Sequence, residues 1–284
     1  MSALRDITDL AGCHDVVRLQ ERVWGHDAEI VPASVLFVSA KRGGILIGAF
    51  DEARLVGFVW SMPGVRDGVG TQWSHMLGVL PEARGRGLGR ALKRAQRDRA
   101  LAAGVDLVEW TFDPLQAANA HLNVFTLGAT SGTYLIDAYG SMSGPLHRGT
   151  PTDRLIAEWW IRTPHVERRL GRAGPAIRSA EILSAPEALS ATTDDGWARP
   201  GDPRLDLDAR RVLIAIPPQF TELQVSAGDL ALAWRLASRE VFTTYFARGY
   251  RVVDFLLDDR RGGRYLLEAP AEERSARSAI PAAS

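Results

Sequence analysis

Between residues 72 and 103 the chain passes without a break from an apolar run into a glycine-rich turn and then a helix, and no other feature narrows its folds so much. Gln72 to Leu80 reads as a strand and Pro81 ends it. Arg84, Gly85, Arg86, Gly87, Leu88 and Gly89 form the turn, and helical spacing runs from Gly85 to Ala103. Leu88, Ala91, Leu92, Ala95 and Ala102 share one side of that helix, arginines cover the other, and Gly104 is its C-cap. Such a turn is suited to a pyrophosphate. Glycines let the backbone approach an anion, successive amides point at it, the helix dipole adds positive potential and arginines neutralise charge. Glycines at 85, 87 and 89 do not spell the dinucleotide fingerprint G-x-G-x-x-G, and the P-loop pattern is absent.

The elements around this turn predict an α+β fold with a mixed, mostly antiparallel sheet flanked by helices. Ile7, Leu10, Val16, Val17, Leu19, Val23 and Trp24 fall at helical spacing, and a second helix around Ser34 to Ala40 follows Pro32. Ile45 to Phe50 and Leu55 to Met62 read as a hairpin, a glycine-rich loop covers Pro63 to Gly70, and Gln72 to Leu80 completes a meander. Beyond the turn helix come a strand at Asp106 to Asp113, a helix at Gln116 to Leu127 closed by Gly128, and strands at Thr133 to Ala138 and Leu155 to Ile161. The predicted order is β, αα, βββ, α, β, α, ββ, and it occupies residues 1–164. Residues 165–210 read as a linker with one short helix. A second, smaller α+β unit at 211–268 holds a strand at Val212 to Ile216, a helix at Asp229 to Phe246 and strands at Tyr250 to Leu257 and Arg264 to Leu267. Residues 269–284 read as a flexible tail.

Composition removes several classes. Thirty-four basic residues balance thirty-four acidic ones, so no global field attracts nucleic acid. The single Cys13 closes no internal disulfide, and no Cys/His spacing suggests a metal. Arg5, Asp6 and Asp9 stand where a signal peptide needs an apolar core, and the apolar runs are too short to span a bilayer. A cytoplasmic protein without membrane contact is the expectation.

The element order and the turn resemble the GNAT acyltransferase superfamily, whose motif is (Gln/Arg)-x-x-Gly-x-(Gly/Ala). Arg84, Gly87 and Gly89 fit it position by position. The resemblance implies acetyl-CoA or succinyl-CoA as co-substrate, with amides from Gly85 to Arg90, Arg86 and Leu88 among them, holding the pyrophosphate. It also implies that Leu77 and Val79 pair through their backbones with the pantetheine arm, and that Asn119 is a further contact. Ser74 to Leu80, Trp110 to Asn123 and Gly149 to Trp160 resemble a long-form bacterial branch with a C-terminal extension, some of whose members look like amino-acid N-succinyltransferases. The acceptor is then a primary amine, such as the α-amine of an amino acid.

Amine acylation sets three tasks. An ammonium near pKa ~10 loses its proton at roughly 4 kcal/mol near neutrality, so a base is wanted. An oxyanion needs a donor, for which strand amides near Leu77 to Val79 are placed. The leaving thiolate needs a proton. Strict alternation puts Trp73, His75, Leu77 and Val79 on one strand face, so His75 is either the base or a histidine bonded within the strand. Glu109 is the rival base, and Asp113, which precedes a proline, is a second carboxylate or a turn former. The superfamily's usual tyrosine acid falls at Val124 here, leaving Tyr134 and Tyr139 as substitutes or as packing. Asp153 and Arg154 either fix a substrate charge or tie a strand to its neighbour. The arginines from Arg90 to Arg99 either reach the cofactor or form a solvated face. The second unit is expected to wall the acceptor pocket or to make a homodimer contact. The opposing class is an inactive or regulatory module that binds coenzyme A without chemistry.

Overall fold

The computed structural model describes residues 2–25, 29–140, 150–171, 184–194, 196–258 and 262–270. A seven-stranded sheet organises the first part, in the order β1-β2-β3-β4-β5-β7-β6. Its strands are β1 (Ala3–Asp6), β2 (Ile45–Asp51), β3 (Arg54–Arg66), β4 (Val69–Val79), β5 (Leu107–Phe112), β6 (Tyr134–Leu135) and β7 (Arg154–Trp160). All neighbours are antiparallel except β4 and β5. One face carries α1 (Leu10–Trp24) and α2 (Ala33–Lys41), and α3 (Leu88–Ala102) covers the other. Adjacent β3 residues report the two sides: Phe58 packs edge-on against Trp24 of α1, while a side chain at Gly57 would meet Leu92 of α3. Asp9 caps α1 by accepting the amide of Gly12 at 2.7 Å. The α1–α2 connection is held by Gln20, which accepts the Val31 amide at 2.8 Å and donates to its carbonyl at 3.2 Å.

Three local departures from the sequence-based expectation shape the site. The predicted loop at 63–70 is instead a continuation of the β3–β4 hairpin, paired from Pro63↔Gln72 to Arg66↔Val69. It closes at Asp67 and Gly68, whose φ of 51° and 77° fit a two-residue turn that follows the strand twist, and this turn chemistry outweighs Pro63 and the nearby glycines. Further along, the ladder skips from Met62↔Trp73 to Trp60↔Met76, so that Ser74 and His75 together oppose Ser61 in a β-bulge. The expected helix at 116–127 is also split, into a short α4 (Ala117–Ala120) and a wider π-helical turn at His121–Thr126.

The second part is smaller. Its four-stranded sheet has the order β12-β13-β11-β8, from β8 (Glu187–Leu189), β11 (Arg211–Ile216), β12 (Arg251–Asp258) and β13 (Gly262–Glu268). With it pack α6 (Phe220–Ser226) and α7 (Gly228–Ala247), and β9 (Ala191–Asp194) and β10 (Trp197–Pro200) form a separate ribbon. The segment read as a linker thus contains ordered elements: most of α5 (Pro164–Gly171) and the strands β8, β9 and β10. Short elements of low periodicity give little sequence signal, and β8 is held by parallel pairing with β11, which local pattern cannot show. Of the predicted tail, residues 271–284 lie outside the described residues. The two sheets meet edge to edge, because Thr130 bridges Glu158 of β7 and Ser131 bridges Val252 of β12. One continuous apolar core runs through both parts, from Val16 and Phe58 to Trp159, Trp234 and Phe255.

Candidate active site

The parallel neighbours β4 and β5 pair only at Gln72↔Val108 and Trp73↔Glu109. From Ser74 onward β4 has no strand partner on its β5 side among the described residues, and a cleft opens there. The glycine turn stands at the cleft's end. Gly85 and Gly87 take φ of 76° and 75°, a region that other residues enter only with strain, and a side chain at either would point into open space. No side chain caps α3, and among the described residues the amides of Gly85 through Gly89 find no acceptor. Arg84 donates to the Val79 carbonyl at 3.1 Å, and Arg86 reaches Asp51 at 3.1 Å and the Glu82 carbonyl at 3.2 Å. Leu88 is buried, fixing the first turn of α3 to the core, and Leu77 lies beside Gly89. This set of open amides beside a free strand edge fits a diphosphate with an extended arm. Asn119 is exposed on α4 and accepts from Asn123 at 3.2 Å.

The bulge corrects the predicted face of β4. Leu77 and Val79 turn toward α3, whereas His75 stands edge-on to Trp60 at 5.3 Å on the α1–α2 side, with Gly78 next to Trp24. Strict alternation fails because the extra residue inverts the parity of everything after it. The cofactor-side and base-side residues of one strand thereby face opposite sides of the sheet. Burial against Trp60 pushes the His75 imidazole below its ordinary range, although its edge stays open to solvent.

On that same α1–α2 side a row of paired residues crosses the sheet: Met62, Trp73, Glu109 and Glu158. Two carboxylates directly opposed would repel, and arginines offset this. Arg66 bonds Glu109 at 2.8 Å and lies 3.4 Å from Glu158, and Arg251 of β12 bonds Glu158 at 2.6 Å. Glu109 is thus reached by the expected pocket face but has an oxygen committed to Arg66. Two residues on, Thr111 shares a 2.6 Å hydrogen bond with the exposed Tyr139. His75, Glu109 and Tyr139 therefore sit on one face. Tyr134 does not join them: its hydroxyl donates to Asp153 at 2.8 Å, and burial pushes its pKa up. Val124, at the superfamily's tyrosine position, is buried.

Several charged residues prove to be structural ties. Asp113 accepts the Leu115 amide at 2.9 Å, as a turn former does, and also takes both arms of Arg235 at 2.9 Å. Asp153 is fully buried and takes both arms of Arg239 at 2.8 Å. Burial pushes its carboxyl up, but the bonds from Arg239, the Asp137 amide and Tyr134 outweigh this and hold it below the usual range. Arg154 donates to the Asp153 carbonyl and lies over the Tyr139 ring. Arg90 and Arg94 close the end of α5 at the Leu170 carbonyl, and Arg97 reaches the Ile161 carbonyl, so these arginines tie α3 to its neighbours.

One buried group carried no prediction. Lys93 projects from α3 into the sheet, 3.1 Å from the Ser74 hydroxyl and 3.6 Å from the centre of the Trp110 ring, and burial drives its pKa well down. It is one of only two lysines in an arginine-rich chain, which is the signal that marks it. Among the described residues no group of three or more His, Cys, Asp or Glu side chains is placed to hold a metal ion, and no helix is long and apolar enough to cross a membrane.

A mixed sheet splayed at its one parallel step, with a glycine turn opening the following helix, is a layout that suits an anionic ligand. Residues 12–123 match the model of the acetyltransferase (GNAT) family, and an additional C-terminal region follows the matched part. No curated protein matches the chain. Similar solved structures include the ribosomal-protein-S18-alanine N-acetyltransferase of Escherichia coli, at 18% identity and a TM-score of 0.47, covering 57% of this chain and 96% of that one. An acetyltransferase-like protein of Salmonella typhimurium, solved with acetyl-CoA, gives 17% and 0.45, covering 62% and 98%. An aminoglycoside 6'-acetyltransferase of type Ii gives 17% and 0.46, covering 57% and 98%.

Proposed function

We propose that the chain transfers an acetyl or succinyl group from coenzyme A to a primary amine, with His75 as base. The observation that carries this reading is the run of acceptor-free amides from Gly85 to Gly89 at the end of an open β4 edge. The amides and the α3 dipole would hold the diphosphate, Arg84, Arg86 and Arg90 add positive charge, and Leu77, Val79 and Asn119 line the arm. A bound thioester supplies the electrophilic carbonyl. Across the sheet, the imidazole of His75 is kept neutral by burial yet stays accessible, as a proton acceptor must. Glu109, the rival, has one oxygen occupied by Arg66 at 2.8 Å. Tyr139, exposed and bonded to Thr111, is the proton donor on this face. Asp153 and Arg154 are tied to Arg239 and Tyr139, so the carboxylate of an amino-acid acceptor loses the counter-ion that the sequence offered it.

Titration calorimetry with acetyl-CoA and succinyl-CoA, followed by thiol release against an amine panel, tests this. Binding with release supports transfer and ranks the donors. Binding without release would favour the second reading, a coenzyme A binding module without chemistry, which the buried Val124 supports. No binding of either thioester would remove both.

A further inference from the structure

Tyr139 lies in the connection between β6 and β7, not on a strand, so its aim depends on what holds that turn. Asp137, two residues earlier, takes a φ of 47°, a left-handed conformation that a residue with a side chain keeps only when its surroundings impose it. Its carboxylate accepts the amide and the hydroxyl of Thr152, both at 3.0 Å, and the same hydroxyl oxygen accepts the Tyr139 amide at 3.0 Å. The turn is laced to the residues that lead into β7. The Asp137 amide completes the lacing by donating to Asp153 at 3.0 Å.

Asp153 is the fixed point of this arrangement. One of its oxygens takes the Asp137 amide and Nη2 of Arg239, and the other takes the Tyr134 hydroxyl and Nε of Arg239. Four bonds around a fully buried carboxylate leave it one orientation. Without Arg239 it keeps hydrogen bonds only from two neutral donors, too little to hold the charge out of water, and the turn moves with it. Only a guanidinium spans both oxygens in this way.

The far end of Tyr139 is tethered too. Thr111 of β5 shares the 2.6 Å bond with its hydroxyl, and Arg154 of β7 lies 5.3 Å from its ring centre. Yet Tyr139 remains 45% exposed. A phenol fixed at its amide, ring and hydroxyl but left open to solvent is held for use and not for packing.

Resting on the transferase reading, we infer that Arg239 is a positioning residue for Tyr139: through Asp153 and the Asp137 turn, α7 of the C-terminal part aims the phenol at the leaving group. As the carbon–sulfur bond breaks, the phenol passes its proton to the thiolate sulfur, and solvent returns a proton to the phenolate. The C-terminal part thus serves the reaction without touching substrate.

The test is a double-mutant cycle in kcat on the full chain, with acetyl-CoA and the amine of the panel above that releases thiol fastest. Tyr139→Phe is expected to lower kcat roughly 100-fold. Arg239→Met should lower it about tenfold with the KM for acetyl-CoA unchanged, and Arg239→Lys should restore part of the loss. The decisive chain is the double variant, which should be no slower than Tyr139→Phe alone. Losses that multiply, or full kcat in Arg239→Met, would overturn the inference. Full kcat in Tyr139→Phe would strike the acid assignment and the inference with it. If Arg239→Met does not fold, Arg239→Lys carries the same cycle. Should no amine release thiol, the transferase reading falls, and hydrogen exchange decides the hold of α7 on the turn. Exchange at the Asp137 and Tyr139 amides about tenfold faster in Arg239→Met, with Phe58 and Val59 of β3 unchanged, supports it, and equal exchange overturns it.

Discussion

At the scale of single residues, the chemistry turns on how far each group's protonation departs from its ordinary value. Burial lowers the His75 pKa below the ordinary ~6.5, so the base form dominates near neutrality and the acidic limb of kcat/KM is expected below about pH 6.5. His75→Gln should lower kcat by roughly 100-fold and abolish that limb; a limb that persists would hand the proton to Glu109. Lys93 makes a second prediction through stability. Its folded pKa lies well below the ~10.4 of an unfolded lysine, so between the two values the unfolded chain binds more protons and stability rises with pH. Lys93→Met is expected to flatten that rise and to add about 1–2 kcal/mol at neutral pH, read by urea denaturation across the alkaline range. His75, Glu109 and Tyr139 stand out in the sequence because their types carry proton chemistry, and the structure puts them on one face of the sheet. Lys93 does not, since an amphipathic helix normally sends its cations outward. The pairing of Arg235 with Asp113, 122 residues apart, leaves no local trace.

Elements add the geometry that residues alone lack. The order of strands and helices and the glycine turn could be read directly, because hydrophobic period and left-handed glycines are local properties. The β-bulge could not: it is one extra residue judged against a partner strand, and it turned Leu77 and Val79 away from the face expected for them. Gly87 states the turn's importance in measurable form. Its φ of 75° is costly for alanine while its surroundings leave room, so Gly87→Ala should cost about 1 kcal/mol of stability from the backbone alone. The same change should weaken acetyl-CoA binding measurably in calorimetry, because it tilts the amides that open α3. Equal affinity in wild type and variant would show that the turn is not the anion site.

Across the whole molecule, α7 is the fastener. Arg235 and Arg239 reach from it to Asp113 and Asp153, and both carboxylates lie almost entirely out of water. Arg235→Ala removes the two-armed partner of Asp113 and leaves it only Arg154 at 4.0 Å, which is expected to cost about 3–5 kcal/mol, measured by chemical denaturation, while a paired Arg235→Met, Asp113→Leu replacement should recover much of it. Because one apolar core spans both parts, unfolding should proceed as a single calorimetric transition. The edge-to-edge contact through Thr130 and Ser131 carries a consequence for any shortened form of the chain. Removing everything after α5 leaves β7 its neighbours β5 and β6 but takes Val252 of β12 away from Ser131, so the backbone edge there loses its partner. Such a fragment presents an adhesive border to its own copies, and light scattering should find it self-associating where the full chain stays dispersed.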